Sequence, residues 1–381
     1  MLARSEAAGG GRVAISARSV WLLAMLIIYV VVFASDTTTW ISTLRNDENR
    51  IQQIAETAAW NSLENSYEVM AFLYARTSEN QRLIVEFGSG LIFISYCMTR
   101  LRSHKALFLV SVWLISPILF FLTQFNKDTI LIYFVIASAF ILASRLPVPI
   151  KLVGVSFIYV AYAAIFREYY YLILSVFIFL WLLRRIPAVG MLIVVLVGLA
   201  LLLLSPPHVF AQLEGSRDLV NADRLGRNLP GMRTAFDNLM APTDAFKFIA
   251  NYLYAAARLN FPFFASFAPR DAFMFLVMLS LGWISVKGLR GPDRVADSTC
   301  LFLAHVAVSI CFEPDVGSYL RHTSSAIPYL IPAVMLFDRG TRSRLRARST
   351  GSGSGPAPAY AAAARPARSP QQPPTSHPAP G

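Results

Sequence analysis

The sequence predicts an all-α fold: a polytopic transmembrane helical bundle of about ten spans that also carries external amphipathic or re-entrant helices. Three observations lead there. Of the 381 residues, 55% are hydrophobic and only 15% charged, against about 25% charged in an average soluble domain. The apolar residues are gathered into blocks nearly free of charge, among them VWLLAMLIIYVVVFAS, ALFLVSVWLISPILFFLTQF and AVGMLIVVLVGLALLLLS, each long enough to cross hydrocarbon as a helix. The Lys and Arg behind the net charge of +12 lie between these blocks and in the C-terminal stretch DRGTRSRLRARST. Cations in those places act as topology signals, so no nucleic-acid partner is needed to explain them.

Taken in order, the spans fall at 19–40, 84–99, 106–125, 128–144, 151–166, 168–183, 188–205, 270–287, 296–312 and 324–338. Arg4, Arg12 and Arg18 precede the first, which runs to about Trp40 without a small-residue cleavage site; an uncleaved span is expected rather than a signal peptide. In the loop 41–83, Ile51, Ile54 and Ala58, then Val69, Phe72 and Leu73, keep helical spacing, which predicts amphipathic helices on the membrane surface. Segment 206–245 is polar and rich in Arg and Asp. The apolar stretch 246–268 is interrupted by Arg258 and Pro262 and reads as a re-entrant or interfacial hairpin, so the second external loop is 206–269. Pro328 and Pro332 predict a kinked or partly unwound last span. Three regions follow: a cytoplasmic segment 1–18, a bundle 19–338, and a basic tail 339–381 whose Gly/Ser/Pro/Ala composition cannot bury a core.

Alternate loops differ in charge. RLRSHK (100–105), SRLPVPIK (144–151), RRIP (184–187), VKGLRGPDR (286–294), the N-terminal arginines and the tail are each basic. In 41–83, QFNKD, FREYY, 206–245 and FEPDVGSYLRH, each cation has acidic neighbours. The positive-inside rule therefore puts both termini in the cytoplasm and the three short charged clusters on the external face.

Those clusters are the candidate site. Asn126 and Asp128 suit a helix cap with Lys127 reaching to the interface; a Lys at a helix N-terminus equally suits a phosphate. Arg167 and Glu168 separate two apolar runs with almost no turn residues, at a depth where charge faces a polar cavity or a partner. Tyr169 and Tyr170, which follow, fit an interfacial belt or a sugar-stacking face. In CFEPDVGSYLRHTSSAIPYLIP, Glu313 and Asp315 flank a helix-breaking Pro314, and Arg321 and His322 precede the last span. A titratable His beside an Arg, with carboxylates nearby, supplies anion binding and proton transfer; a carboxylate paired with Arg321 to close the loop is the plainer alternative. His305 reads as an interhelical hydrogen-bonding residue and His208 is uninformative. Arg217, Arg224, Arg227 and Arg233 read mostly as a solvated face. Cys97, Cys300 and Cys311 read as small packing residues, with neither disulfide nor metal spacing. Hard cations need several oxygen ligands and no second strong acidic pair accompanies Glu-Pro-Asp, so no metal and no other cofactor is expected.

At FNKDTILIY, FREYYYLIL and GSYLRHTSSAIPYLIPAV the chain resembles bacterial polysaccharide polymerases of the Wzy/EpsG type and related polytopic GT-C glycosyltransferases, over roughly residues 60–340. It departs from them in a modest largest external loop and in lacking an early acidic pair after the first span, for which Asp47–Glu48 is a loose substitute. The resemblance implies an inner-membrane glycosyltransferase that extends a cell-surface polysaccharide from undecaprenyl-diphosphate-linked glycans on the periplasmic face, with membrane lipids and a chain-length regulator as partners. The chemistry asks for Arg321, Arg167 and Lys127 at the departing diphosphate and for His322, Asp315 or Glu168 as the base, with Asp128, Glu313, Tyr169 and Tyr170 in support. A ligase of the O-antigen type differs only in acceptor. A transporter or flippase of a lipid-linked or anionic saccharide would place cations at the bilayer midplane instead. All three clusters should converge on one external cavity.

Overall fold

A computed structural model describes residues 16–35, 46–58, 65–226 and 235–338, and among these there is helix and connection but no strand. The expectations for 1–15, 36–45, 59–64, 227–234 and the tail 339–381 lie outside the described residues. The described ones belong to one compact unit.

Among the described residues each of the ten apolar segments is helical, the last of them divided between two helices. The first is α1 (Ala17–Ala34), capped by Ser16 and burying only the stripe Met25, Tyr29 and Val32. The loop that follows contains α2 (Asn46–Glu56) and α3 (Ser66–Arg76), packed on each other; of the expected apolar stripe Ile51 is buried, Ile54, Val69, Phe72 and Leu73 are half-buried and Ala58 is exposed, while Met70 and Ala71 are the buried residues of α3. A capping box between Ser78 and Gln81 starts α4 (Glu79–Met98) five residues ahead of the predicted span. Then come α5 (His104–Phe120), α6 (Lys127–Ala143), α7 (Val148–Ile165), α8 (Tyr169–Leu183) and α9 (Ala188–Leu204). The segment after α9 contains α10 (Pro207–Gly226), α11 (Ala245–Asn260) and the short α12 (Phe263–Ser266); Phe267, in the left-handed region at φ 51°, turns the chain into α13 (Pro269–Leu289). The chain closes with α14 (Asp293–Phe312), α15 (Val316–Ser325) and α16 (Ile327–Asp338).

Two boundaries differ from expectation. Arg258 does not interrupt its segment, because α11 runs through it to Asn260 and the break falls at the residues before Pro262, which has no N–H to continue the ladder. The last span is two helices: Asp315 caps α15 eight residues before the predicted start, and Pro328 breaks the chain into a 3₁₀ turn at Ile327–Leu330.

Length and apolarity single out four helices able to cross a membrane, α1, α7, α13 and α14. A fifth arises if α9 and the start of α10, bent by 94°, are one span. The helices α5, α8 and α16 are equally apolar but shorter; seventeen residues of helix extend only about 25 Å, less than the hydrocarbon thickness of about 30 Å.

The centre of the bundle is α14, most of which is buried against α8, α13, α6, α10, α11 and α15. Its small residues Ala296, Ser298, Thr299, Cys300 and Ala304 let these neighbours approach closely. Gly288 of α13 meets Thr299 there, and Ser298 Oγ donates to the Tyr329 carbonyl at 2.7 Å. His305, mid-helix, is hydrogen-bonded to the Tyr159 hydroxyl at 2.5 Å, which meets Tyr329 at 2.8 Å. That joins α7, α14 and α16 through neutral groups, the interhelical role read for His305. The three cysteines are free and buried. At the opposite end of α8 from Tyr169, Arg184 and Arg185 are not isolated cations: both reach Asp297, at 3.4 and 3.0 Å.

Tyr29 fastens α1 to the bundle. Its hydroxyl lies 3.1 Å from the carbonyls of Glu86 and Leu122, and its ring passes so close to Gly90 that a methyl group there would overlap it. Gly90→Ala should therefore lower stability by about 1–3 kcal/mol, read as a fall in melting temperature in detergent, and Tyr29→Phe by about 1 kcal/mol through the lost hydrogen bond.

Candidate functional site

Three turns, remote in sequence, bring the charged clusters together. The first precedes α6. Asn126 Oδ1 accepts from the N–H groups of Asp128 and Thr129 at 2.9 and 3.0 Å, and Thr129 Oγ1 lies 2.7 and 2.6 Å from the carbonyls of Phe121 and Gln124. This cap sets Lys127 and Asp128 rigidly at the helix start. The second is the junction of α7 and α8, closed by Tyr170 N–H to the Arg167 carbonyl and Tyr171 N–H to the Glu168 carbonyl, both at 3.0 Å. With no glycine and only three residues, Phe166, Arg167 and Glu168, between the helices, Arg167 has little choice of direction. The third lies between α14 and α15. There Asp315 Oδ1 accepts from Ser318 N–H at 2.9 Å and Oδ2 from Ser318 Oγ at 3.0 Å, so that Ser318, Arg321 and His322, at i, i+3 and i+4, share one face of α15.

Asp128 is the hub. It has no exposed surface, and its Oδ2 lies 2.8 Å from Arg321 Nε while Oδ1 lies 3.4 Å from Arg167 Nη1 and 3.7 Å from His322 Nε2. The contacts to both arginines are charge contacts outside good hydrogen-bond alignment. Arg167 Nη1 also reaches the Tyr169 hydroxyl at 2.6 Å and His322 Nε2 at 2.8 Å. On the other side of its ring, His322 Nδ1 is hydrogen-bonded to Glu313 Oε1. Lys127 Nζ donates to Ser66 Oγ at 3.1 Å and sits 4.0 Å from the centre of the Tyr67 ring, so α3 covers it.

Lys127, Arg167, Tyr169, Glu313, Arg321 and His322, but not the buried Asp128 behind them, line a cavity of about 730 Å³ together with Glu168, Phe312, Gln212 and Tyr171. Tyr169 and Phe312 stack on its wall, with ring centres 5.3 Å apart and an interplanar angle of 19°. One face of the cavity is cationic, one aromatic. The expected convergence of NKD, FREYYY and the 313–322 segment is what the fold displays.

Not every predicted site residue reaches the cavity. Asp315 is the N-cap of α15, and its carboxylate is engaged with Ser318 rather than turned to the cavity. Tyr170 is buried behind Tyr169, its ring centre 4.5 Å from that of Tyr162. Glu168 is exposed at the rim. Glu313 does not pair with Arg321; it holds His322. Arg217, read as solvated, is buried on α10 against Phe236 and Asn238.

One group of residues escaped the sequence reading altogether. Asp47 on α2, noted there only as a loose substitute for an acidic pair, lies 2.7 Å from Arg321 Nη2 and accepts from the Tyr67 hydroxyl at 2.8 Å. Burial works against its ionisation, but Arg321, Lys127 and the Tyr67 hydroxyl outweigh it and hold the carboxyl well below the usual range. Burial, and then the neighbouring carboxylate, push the Tyr67 phenol up. Helical spacing could reveal that α2 and α3 are amphipathic; which bundle residue their polar groups would meet has no local signature.

No model of a known family, no curated protein and no solved structure matches this chain.

Two outcomes are expected. Asp128→Ala removes the carboxylate that faces Arg167 and one of the two that face Arg321 and should cost about 3–5 kcal/mol; the Asp128→Leu/Arg321→Met pair should lose less than the sum of its single changes in a thermal double-variant cycle. Asp47 has a depressed folded-state pKa, so its stabilisation is complete above its unfolded value of about 3.9 and is lost as pH falls below it. Amide protection of α2, corrected for intrinsic exchange, should hold from neutrality down to about pH 4 and then decline, whereas Asp47→Asn should show the loss already at neutral pH.

Proposed function

We propose that this chain is a bacterial inner-membrane glycosyltransferase, a polymerase that extends a cell-surface polysaccharide from undecaprenyl-diphosphate-linked glycans on the periplasmic face. The reading is supported by one observation above all: Lys127, Arg167 and Arg321 line a single cavity with a His322–Glu313 pair, where the apolar helices end. In this reading all ten predicted segments cross or enter the bilayer, the shorter helices by local thinning or tilt of the neighbouring lipid. Both termini are then cytoplasmic, and α2, α3, α10 and α11 lie outside.

The chemistry follows from the charges. Cleaving a glycosyl–diphosphate bond releases an anion, and cations at the departing oxygens lower that barrier. Arg321 and Arg167 provide planar forks for phosphate oxygens, and Lys127 a point charge at a helix N-terminus. Each is compensated in this structure by Asp47, Asp128 or both. An incoming diphosphate therefore has to replace a carboxylate, and Asp47, on an external helix and less buried than Asp128, is the one that can yield. The acceptor hydroxyl gives its proton to His322 Nε2 as its oxygen bonds to the anomeric carbon and the bond to the diphosphate breaks. Glu313 fixes the opposite nitrogen as the N–H donor and stabilises the imidazolium. One displacement, with inversion, suffices because the leaving group is already activated. Tyr169 and Phe312 present the aromatic surface against which a sugar ring stacks. Charge concentrated at helix ends, with a neutral Tyr159–His305–Tyr329 cluster mid-bundle, favours this surface chemistry over transport.

In vesicles given a lipid-diphosphate oligosaccharide, His322→Ala should lower turnover by about 10²–10⁴-fold and Arg321→Ala by about 10²–10³-fold. Normal long-chain product from both, at normal expression, would sink the assignment. The orientation is open to a separate check, since the three native cysteines are buried. Leu219→Cys on α10 should react with an impermeant maleimide on intact spheroplasts, and Arg294→Cys only after permeabilisation; the reverse pattern would invert the topology.

A further inference from the structure

The contact between Arg167 and His322 is more than proximity, because its chemistry is directional. A guanidinium stays protonated throughout the pH range in which proteins fold, so Arg167 Nη1–H donates and His322 Nε2, 2.8 Å away, accepts. Nε2 must then present its lone pair, and Nδ1 carries the ring proton toward Glu313 Oε1. That is the tautomer a general base needs. Yet the lone pair that would receive a proton is already filled by Arg167.

We propose that Arg167 is a latch on His322: an anionic phosphate entering the cavity draws the guanidinium away, so the base's lone pair becomes free only when the phosphate is seated. This rests on the glycosyl-transfer reading above and adds to it an order of events. Nη1 has two hydrogens and three neighbours, the Tyr169 hydroxyl at 2.6 Å, His322 Nε2 at 2.8 Å and Asp128 Oδ1 at 3.4 Å; the sharing is already imperfect, and a change of partner breaks no fully formed set. Arg167 stands at the break between α7 and α8 and lines the cavity. A charge-assisted fork to phosphate is stronger than an N–H bond to a neutral imidazole.

The other groups facing His322 suit the released state. Glu313 lies at Nδ1, Asp128 Oδ1 at 3.7 Å from Nε2, and Arg321 is the neighbour on the same helix. Once Arg167 leaves and Nε2 accepts the hydroxyl proton, Asp128 is the carboxylate that faces the new N–H. Arg167 thus acts at this step as a positioning residue, and the base is not exposed to water in the absence of a phosphate.

The test is nitrogen NMR of the full chain, ¹⁵N-labelled at histidine, in lipid nanodiscs at mildly alkaline pH. The His322 Nε2 resonance is assigned by its loss in His322→Gln. Inorganic pyrophosphate is the probe, and its binding is followed independently by ³¹P line broadening. In the native chain, pyrophosphate should move the Nε2 resonance to the position of a nitrogen with no donor. In Arg167→Ala it should lie there from the start and not move. If pyrophosphate binds, with broadening lost in Arg321→Ala, but Nε2 does not move, the latch is overturned while the functional reading stands. If pyrophosphate does not bind at all, both fall. The native titration decides the matter alone should Arg167→Ala fail to fold.

Discussion

A carboxylate with no exposed surface is stable as an anion only when cations reach it, and Asp128 imposes that demand on four separate parts of the chain. It is held at the start of α6 by the Asn126 cap, so the cations must come to it: Arg167 from the junction of α7 and α8, Arg321 from α15. Arg321 in turn binds Asp47, which docks α2, and Tyr67 ties α3 to the same carboxylate. The end of the bundle is therefore organised around one buried charge, and the cavity is the space these groups leave between them.

Such a cluster contributes less to stability than its number of contacts suggests. Each ion loses its hydration, and the contacts of Asp128 with the arginines are not well-aligned hydrogen bonds. Stability comes instead from helix packing: the small residues along α14, the Tyr29 ring over Gly90, and the neutral Tyr159–His305–Tyr329 cluster. Three cations, Lys127, Arg167 and Arg321, line the cavity with the carboxylates Asp47, Glu168 and Glu313, and Asp128 lies behind them. A compensated cluster accepts an added anion only by exchange, which is why one carboxylate on a peripheral helix, and one arginine shared among three partners, matter to the proposed chemistry.

Most of the fold was legible because long apolar helices announce themselves locally. Long charge-free blocks, Asn126 before Lys127 and Pro262 after α11 each mark an element or its end through neighbours within a few residues. The errors have the same locality. Arg258 was read as a breaker from its charge, although a helix tolerates Arg wherever its head reaches a polar region. The start of α15 was missed because the capping role of Asp315 looked the same, in sequence, as a catalytic carboxylate.

Hydrophobic block length, caps and breakers act over short distances, so the helical class, the order of the elements and the three turns that bear charge can be read from neighbouring residues. Which charges meet is settled by how the helices pack. Packing set Asp128 rather than Glu313 against Arg321, gave Glu313 to His322, withdrew Asp315 into a cap and brought Asp47 in from the segment after α1. The physical reason is that an ion pair in a bundle is selected by helix packing and the need to compensate buried charge. Residues 274 positions apart, such as Asp47 and Arg321, carry no trace of that selection in their own surroundings.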